Sequence, residues 1–156
     1  MNFTDFCLDL DLLQCKDLLV ISEKNGVKYV MDPVRKKNII LQPEEMVRQL
    51  LLQWFITKTV FGRNQLQVEK LISINDQTKR FDIVVYDKNT KPFLLVECKA
   101  PKVAINQHTF DQISVYNSSL KAPYLIVSNG LATWFAVQDS MNKKYTFFNS
   151  VPDWIF

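Results

Sequence analysis

Two carboxylates and a lysine stand in stretches of the sequence that otherwise have the composition of buried strands. Asp82 lies in RFDIVVY, residues 80–86, while Glu97 and Lys99 lie in PFLLVECK, residues 92–99. Val, Ile, Leu and Phe dominate both stretches, which is typical of strands that are covered on both faces. Because burying a carboxylate is costly unless a cation compensates its charge, these residues predict a cation-binding site.

The two stretches are joined by the polar loop DKNTK, residues 87–91, which is short enough for an antiparallel hairpin. If the hairpin is symmetric about Asn89 and Thr90, Asp82 faces Glu97 directly. The same register gives the further pairs Phe81–Cys98, Ile83–Val96, Val84–Leu95, Val85–Leu94 and Tyr86–Phe93. Since neighbouring strands lie ~4.8 Å apart, the two carboxyl groups could share one bound ion.

The compensating cation has two candidates. Lys99 follows Glu97 by two residues on the same face of the strand, ~7 Å along it, so its flexible side chain can reach the space beside the carboxylates. A divalent metal ion is the alternative, and ligands that offer only oxygen suit Mg²⁺ or Mn²⁺. Such an ion acts as a Lewis acid and lowers the pKa of a bound water, which suits metal-assisted hydrolysis.

The elements around the hairpin predict a mixed α/β domain with helices packed on a central sheet. The clearest boundary is Gln42-Pro43-Glu44-Glu45, because proline suits the first position of a helix and acids suit its first turn. A helix is therefore predicted from Pro43 to Thr59. Its apolar stripe consists of Val47, Leu50, Leu51, Trp54 and Phe55. At ~100° per residue, Glu44 lies beside this stripe and turns inward, whereas Glu45 points away.

Hydrophobic patterns predict further elements on both sides of this helix. Residues 1–22 have no clean period, and their structure stays open. A short strand, a basic turn and a second extended stretch are expected within residues 26–42. A second helix is predicted at 108–120, and strands are predicted at 66–74, 80–86, 92–99, 122–130, 133–138 and 145–149.

The composition fits one globular domain spanning residues 1–156, in which residues 1–26 form an N-terminal extension of uncertain structure. Of the 156 residues, 47% are hydrophobic, which is enough for a sizeable core. The net charge of +3 would attract a polyanion only weakly, so contact with nucleic acid would need a local basic patch.

Scarce residue types exclude several classes of enzyme. The three isolated glycines cannot form a GxGxxG turn or a phosphate-binding loop, so no nucleotide cofactor is expected. His108 is the only histidine, which rules out an HExxH zinc site. Three cysteines without a CxxC pair argue against a disulfide framework or a zinc knuckle. Without a signal peptide or a long apolar run, we expect a cytoplasmic protein and no membrane partner.

Asp82, Glu97 and Lys99 form the pattern Asp-(x)₁₄-Glu-x-Lys, which resembles the PD-(D/E)xK nuclease superfamily. Phe81 stands where the superfamily's name has proline, a departure that many members tolerate. Four longer segments look like the N-terminal nuclease domain of type I restriction enzyme R subunits: DPVRKKNIILQPEEMVRQLLL (32–52), TKRFDIVVYDKNTKPFLLVECKAP (78–101), FDQISVYN (110–117) and APYLIVSNG (122–130). The resemblance implies a restriction-endonuclease-like core, with a mixed central β-sheet flanked by helices.

The resemblance also implies a metal site. In this family, carboxylates such as Asp82 and Glu97 hold Mg²⁺ (or Mn²⁺) with help from the backbone carbonyl between Glu and Lys, here that of Cys98. An acid on the first helix often completes the ligand set, and Glu44 is the choice here because its helical phase turns it inward. The alternative is that Glu44 and Glu45 serve only the helix dipole.

Lys99 is implied to orient or activate the attacking water. Gln112, four residues before Tyr116, matches a Gln-x₃-Tyr element that lies near the site in related nucleases, and this spacing places both side chains on one helix face. A polar helix edge is the plainer interpretation of Gln112. The implied activity is Mg²⁺-dependent endonucleolytic cleavage of DNA, with DNA and other restriction-system subunits as partners.

Two other functions stay open. Type I R subunits attach this domain to an ATP-driven motor, whereas this sequence contains no Walker motif, so a non-catalytic module that binds DNA or a partner is the second hypothesis. A purely structural salt-bridge cluster of Asp82, Glu97 and Lys99 is the third. The basic run at residues 35–37 could bind phosphate together with Arg48, but a run of charges is more often a solvated turn.

Overall fold

The computed structural model describes residues 2–139, 141 and 144–156. This part of the chain contains two α-helices and nine β-strands in two sheets, which confirms the predicted α/β class. The helices are α1 (Pro43–Lys58) and α2 (Gln107–Leu120). The strands are β1 (Ile21–Lys24), β2 (Val27–Asp32), β3 (Lys37–Ile40), β4 (Leu66–Ile74), β5 (Gln77–Tyr86), β6 (Pro92–Cys98), β7 (Tyr124–Ser128), β8 (Thr133–Asp139) and β9 (Lys144–Phe147).

The main sheet has the strand order β4-β5-β6-β7-β8-β9. β6 and β7 are parallel, and every other neighbouring pair is antiparallel. α1 covers one face, through an apolar cluster that joins Leu51 of the helix to Ile83 of β5. α2 covers the other face, through a second cluster that contains Phe110 and Val84. This mixed sheet between helices is the restriction-endonuclease-like core that the sequence predicts.

Local signals in the sequence explain both helices. α1 begins at Pro43, as predicted, and ends one residue before Thr59. α2 begins one residue earlier than predicted, because the Asn106 side chain caps it by accepting the Thr109 backbone N–H at 3.3 Å. It ends at Leu120, because the next residue, Lys121, has a left-handed φ of 59° and caps the helix.

The β5–β6 hairpin keeps the predicted register through its centre. Ile83 pairs with Val96, Val84 with Leu95 and Val85 with Leu94. The prediction that Tyr86 pairs with Phe93 is wrong: Tyr86 pairs with Pro92, because a bulge shifts the register after Val85. The ladder begins at Ile83–Val96, so the predicted backbone pairs Asp82–Glu97 and Phe81–Cys98 lie beyond it. There the Asp82 side chain accepts the Cys98 backbone N–H.

The segment ahead of α1 forms a smaller unit packed against the core. β1, β2 and β3 make an antiparallel sheet, in which β2 and β3 confirm the two extended stretches predicted within residues 26–42. β1 is not predicted, because all four of its residues are exposed and carry no hydrophobic pattern. Farther upstream, Leu12 and Cys15 are buried in the α1 cluster, and the rings of Phe3 and Trp134 stack 4.7 Å apart. No helix in the described residues is long and apolar enough to span a membrane.

Candidate active site

Asp82, Glu97 and Lys99 lie together at the end of the β5–β6 hairpin that meets α1. Asp82 is only 7% exposed. Its Oδ2 accepts the Cys98 backbone N–H at 2.8 Å, and its Oδ1 accepts hydrogen bonds from the Arg48 guanidinium, with Nε at 3.2 Å. Lys99 Nζ donates to Glu97 Oε1 at 3.2 Å. Each carboxylate therefore has its own cationic partner.

An irregularity in β5 directs the Asp82 side chain toward α1. Strict alternation would place Phe81 and Ile83 on the same face of the sheet. Phe81 instead packs in the α2 cluster and Ile83 in the α1 cluster, so the alternation breaks at Asp82. On the neighbouring strand β4, Glu69 has a left-handed φ of 53°. It lies between Val68 and Lys70, which pair with Ile83 and Phe81 of β5. This local change of face is what lets Asp82 reach Arg48.

The two carboxylates interact strongly with each other. Burial, together with the negative charge of Asp82, raises the pKa of Glu97 to about 8, although Lys99 partly offsets the effect. Burial by itself would lower the pKa of Lys99, but Glu97, Glu44 and Asp82 raise it above its ordinary value. Among the described residues, no group of three or more Asp, Glu, Cys or His side chains is arranged to hold a metal ion on its own.

The raised pKa of Glu97 predicts a pH-dependent stability that Glu97→Gln removes. Between about pH 4.3, where an ordinary glutamate titrates, and about pH 8, the native protein keeps a proton that the unfolded chain has released. Glu97 therefore contributes fully to the free energy of unfolding below about pH 4.3, where it is neutral in both states. This contribution is lost as the pH rises to about 8. In EDTA at about pH 8.5, Glu97→Gln should unfold at a higher temperature than wild type, with a smaller difference at about pH 5.

Thermal unfolding at both pH values tests this prediction. Glu23→Gln, which changes an exposed carboxyl on β1, is the matched control and should follow wild type. Equal pH dependence in wild type and Glu97→Gln would contradict it.

The predicted orientations of Glu44 and Glu45 are wrong. Glu45 is buried, with 7% exposure, whereas the Glu44 side chain is 49% exposed. The apolar stripe alone does not define the buried face of α1. This face also includes Arg48 and Gln49, which follow Glu45 by one helical turn, so Glu45 lies on the buried side. Burial and the charge of Asp82 raise the pKa of Glu44, so Glu44 still lies within electrostatic range of the site.

A largely buried network of charged and polar groups, which we call the arginine network, supports Asp82 from the side of α1. It consists of Asp32, Arg35, Glu45, Arg48, Gln49, Glu69 and Asp82. Arg35 donates to Asp32 at 2.7 Å and to Glu45 at 2.6 Å, and Arg48 in turn donates to both Glu45 and Asp82. A continuous chain of ion pairs thus runs from the turn after β2 to the candidate site.

The prediction of a solvated turn is therefore wrong for Arg35, and Arg48 is buried as well. The Arg35 side chain is 14% exposed, and the whole of Arg48 is 4% exposed. Both arginines bind carboxylates, and these carboxylates raise the pKa of Arg48 even though burial opposes it. Part of this network could have been predicted from the sequence. Arg48 follows Glu44 by four residues and Glu45 by three, and both spacings bring side chains together on a helix.

Gln112 stays apart from the carboxylates. It is exposed on α2, and its Nε2 lies 3.4 Å from His108 Nε2. Among the contacts of the described residues, none joins Gln112 to Asp82 or Glu97. Tyr116 is partly buried, with Lys79 Nζ 4.8 Å from its ring centroid. The role predicted for Gln112 stays a prediction.

Comparison with known proteins identifies the family. A family model described as the type I restriction enzyme R protein N terminus matches residues 43–152. The match begins at the first residue of α1 and includes the β5–β6 hairpin and α2. No match was found among curated proteins. Since the family model covers more than half of the sequence, the chain belongs to the family of type I restriction enzyme R protein N-terminal domains.

Proposed function

We propose that this domain is a metal-dependent endonuclease that hydrolyses DNA phosphodiester bonds at Asp82, Glu97 and Lys99. The observation that carries the proposal is the placement of two interacting carboxylates beside a lysine, at the end of a buried hairpin, in a chain of the restriction R-protein family. Groups held so close at a cost in electrostatic energy are characteristic of functional sites.

The side chains suit a divalent cation of the Mg²⁺ type. Mg²⁺ is commonly bound by one or two protein carboxylates and completes its shell with water and substrate phosphate oxygens, so a closed cage of three side chains is not required. Asp82 and Glu97 would be its ligands, with the backbone carbonyl of Cys98 and the half-exposed carboxylate of Glu44 as further donors. Mg²⁺ or Mn²⁺ bound there would polarise a phosphoryl oxygen and activate a water.

Lys99 supplies positive charge rather than a base. Although burial opposes it, the negative charges of Glu97, Glu44 and Asp82 raise the pKa of Lys99 and favour its protonated ammonium form in the metal-free protein. Its hydrogen bond to Glu97 holds Nζ beside the carboxylates, where it can orient the attacking water or stabilise the negative charge that develops on the phosphate.

Incubation of supercoiled plasmid with the domain tests the proposal. Nicked or linear DNA should form with Mg²⁺ or Mn²⁺ and should not form in EDTA. Binding measured on the same DNA by fluorescence anisotropy separates the alternatives. DNA that is bound but never cut would select the non-catalytic DNA-binding module. DNA that is neither bound nor cut would refute the nuclease and would leave only a module that binds a protein partner.

A further inference from the structure

Arg48 donates two hydrogen bonds to one oxygen of the Asp82 carboxylate, Oδ1. Both oxygens of Asp82 already have donors, since Oδ1 accepts from Arg48 and Oδ2 accepts from the Cys98 backbone N–H. The backbone donor is fixed by the sheet, because Cys98 belongs to β6. Oδ1 can therefore bind another ligand only if the Arg48 guanidinium moves away from it.

The arginine network holds Arg48 firmly in this place. Its Nη1 donates to Glu45, and Glu45 is also bound by Arg35 Nη2 at 2.6 Å and by Gln49 Nε2 at 3.0 Å. A guanidinium restrained from two sides loses little further entropy when it binds a carboxylate. The Arg48–Asp82 pair is thus an organised part of the fold rather than a chance surface contact.

Two carboxylates close to Arg48 can accept its guanidinium if it leaves Oδ1. Its Nη2 already lies 3.5 Å from Glu69 Oε1 and 3.5 Å from Glu44 Oε1. A small shift of the guanidinium would exchange Asp82 for these carboxylates without leaving the arginine charge unpaired. Two cations, in contrast, cannot share one carboxylate oxygen at close range without strong repulsion.

We propose that Arg48 is an internal counter-ion that competes with a divalent cation for Asp82 and thereby sets the metal affinity of the site. The inference rests on the proposed function only in placing the metal ion at Asp82. Arg48 acts as a positioning residue, since it holds Asp82 in the metal-free protein and is exchanged for the metal ion when the site is loaded.

Mn²⁺ binding to Arg48→Gln and wild type tests the competition. The variant should bind Mn²⁺ about tenfold more tightly or better, because charge-assisted hydrogen bonds no longer have to be broken at Asp82. Arg35→Gln is the matched control: it removes a cation of the same network whose ion pairs are with Asp32, Glu45 and Glu69, and it should leave Mn²⁺ affinity within about threefold of wild type. Unchanged or weaker Mn²⁺ binding by Arg48→Gln would overturn the proposal, because a purely structural arginine would give that result.

A measurement on wild type decides the question if Arg48→Gln does not fold. In an Mg²⁺ titration followed by NMR, the Arg48 Nε–H signal should move with saturation while the Arg35 signal stays in place. An Arg48 signal that stays fixed while Mg²⁺ raises the unfolding temperature would refute the competition. Plasmid cleavage on the same preparations separates the two proposals, since Mn²⁺ competition without cleavage would refute the nuclease function alone.

Discussion

Asp82→Asn is expected to reduce metal-dependent DNA cleavage by about 10²- to 10³-fold while preserving the fold. Asparagine has nearly the same shape and keeps an oxygen that can accept the Cys98 backbone N–H, which is 2.8 Å from Asp82 Oδ2. The substitution removes the negative charge, and with it a proposed ligand of the metal ion. Single-turnover cleavage at saturating Mg²⁺, compared with wild type, measures the loss.

The control for this prediction is Asp76→Asn. Asp76 is an exposed residue in the turn between β4 and β5, so the same chemical change there should leave cleavage unaffected. Thermal unfolding in EDTA shows whether both variants are folded, and added Mn²⁺ should stabilise Asp76→Asn but not Asp82→Asn. Cleavage by Asp82→Asn at the wild-type rate would rule out the proposed catalytic site.

Glu45→Ala is expected to lower the free energy of unfolding by about 3 kcal/mol, because it removes the buried carboxylate that Arg35 and Arg48 share. Glu45 receives hydrogen bonds from Arg35, Arg48 and Gln49, all within the arginine network. Arg35 keeps its ion pair with Asp32 and Arg48 keeps its ion pair with Asp82, but the N–H groups that donated to Glu45 stay desolvated and lose their acceptor. Urea denaturation in EDTA gives the comparison with wild type.

The neighbouring residue provides a matched comparison. Glu44→Ala should lower the free energy of unfolding by less than about 1 kcal/mol, because the Glu44 side chain is 49% exposed and its ion pair with Arg48 is 3.5 Å long. Its larger effect should be on Mn²⁺ affinity, which should decrease if Glu44 contributes a ligand. Similar losses of stability in Glu44→Ala and Glu45→Ala would contradict the assignment of Glu45 to the buried network.

The free energy that it costs to bury the charged groups of the arginine network is consistent with a role of this network in positioning the site. Buried ion pairs seldom stabilise a protein more than apolar residues of the same size would. Here they place Arg48 against Asp82 and bring Glu44 to the edge of the site. The network therefore fixes the position of the buried Asp82 carboxylate through its hydrogen bonds to Arg48.

The order of the elements could be predicted from the sequence because its signals are local. Pro43 and the two acids after it determine where α1 begins, and they act within a single helical turn. The hydrophobic runs on either side of residues 87–91 determine the hairpin and its central register, because a shift would break the pairing of apolar residues around Val84 and Leu95. The grouping of Asp82, Glu97 and Lys99 on that hairpin could be predicted for the same reason.

The surroundings of Asp82 were decided by contacts between distant segments. Arg35, Arg48 and Asp82 are far apart in the sequence, and each carries a charge that an isolated segment would expose to water. The apolar residues of α1 by themselves predict that Glu44 faces the core and Glu45 faces solvent. They do not indicate that Arg48 is buried, because its partner Asp82 lies on another element. The sequence by itself determined both helices, the strands of the main sheet and the grouping of Asp82, Glu97 and Lys99 on one hairpin. Only tertiary packing, which pairs charges across elements and excludes water, decided which acid of α1 is buried and which cation holds Asp82.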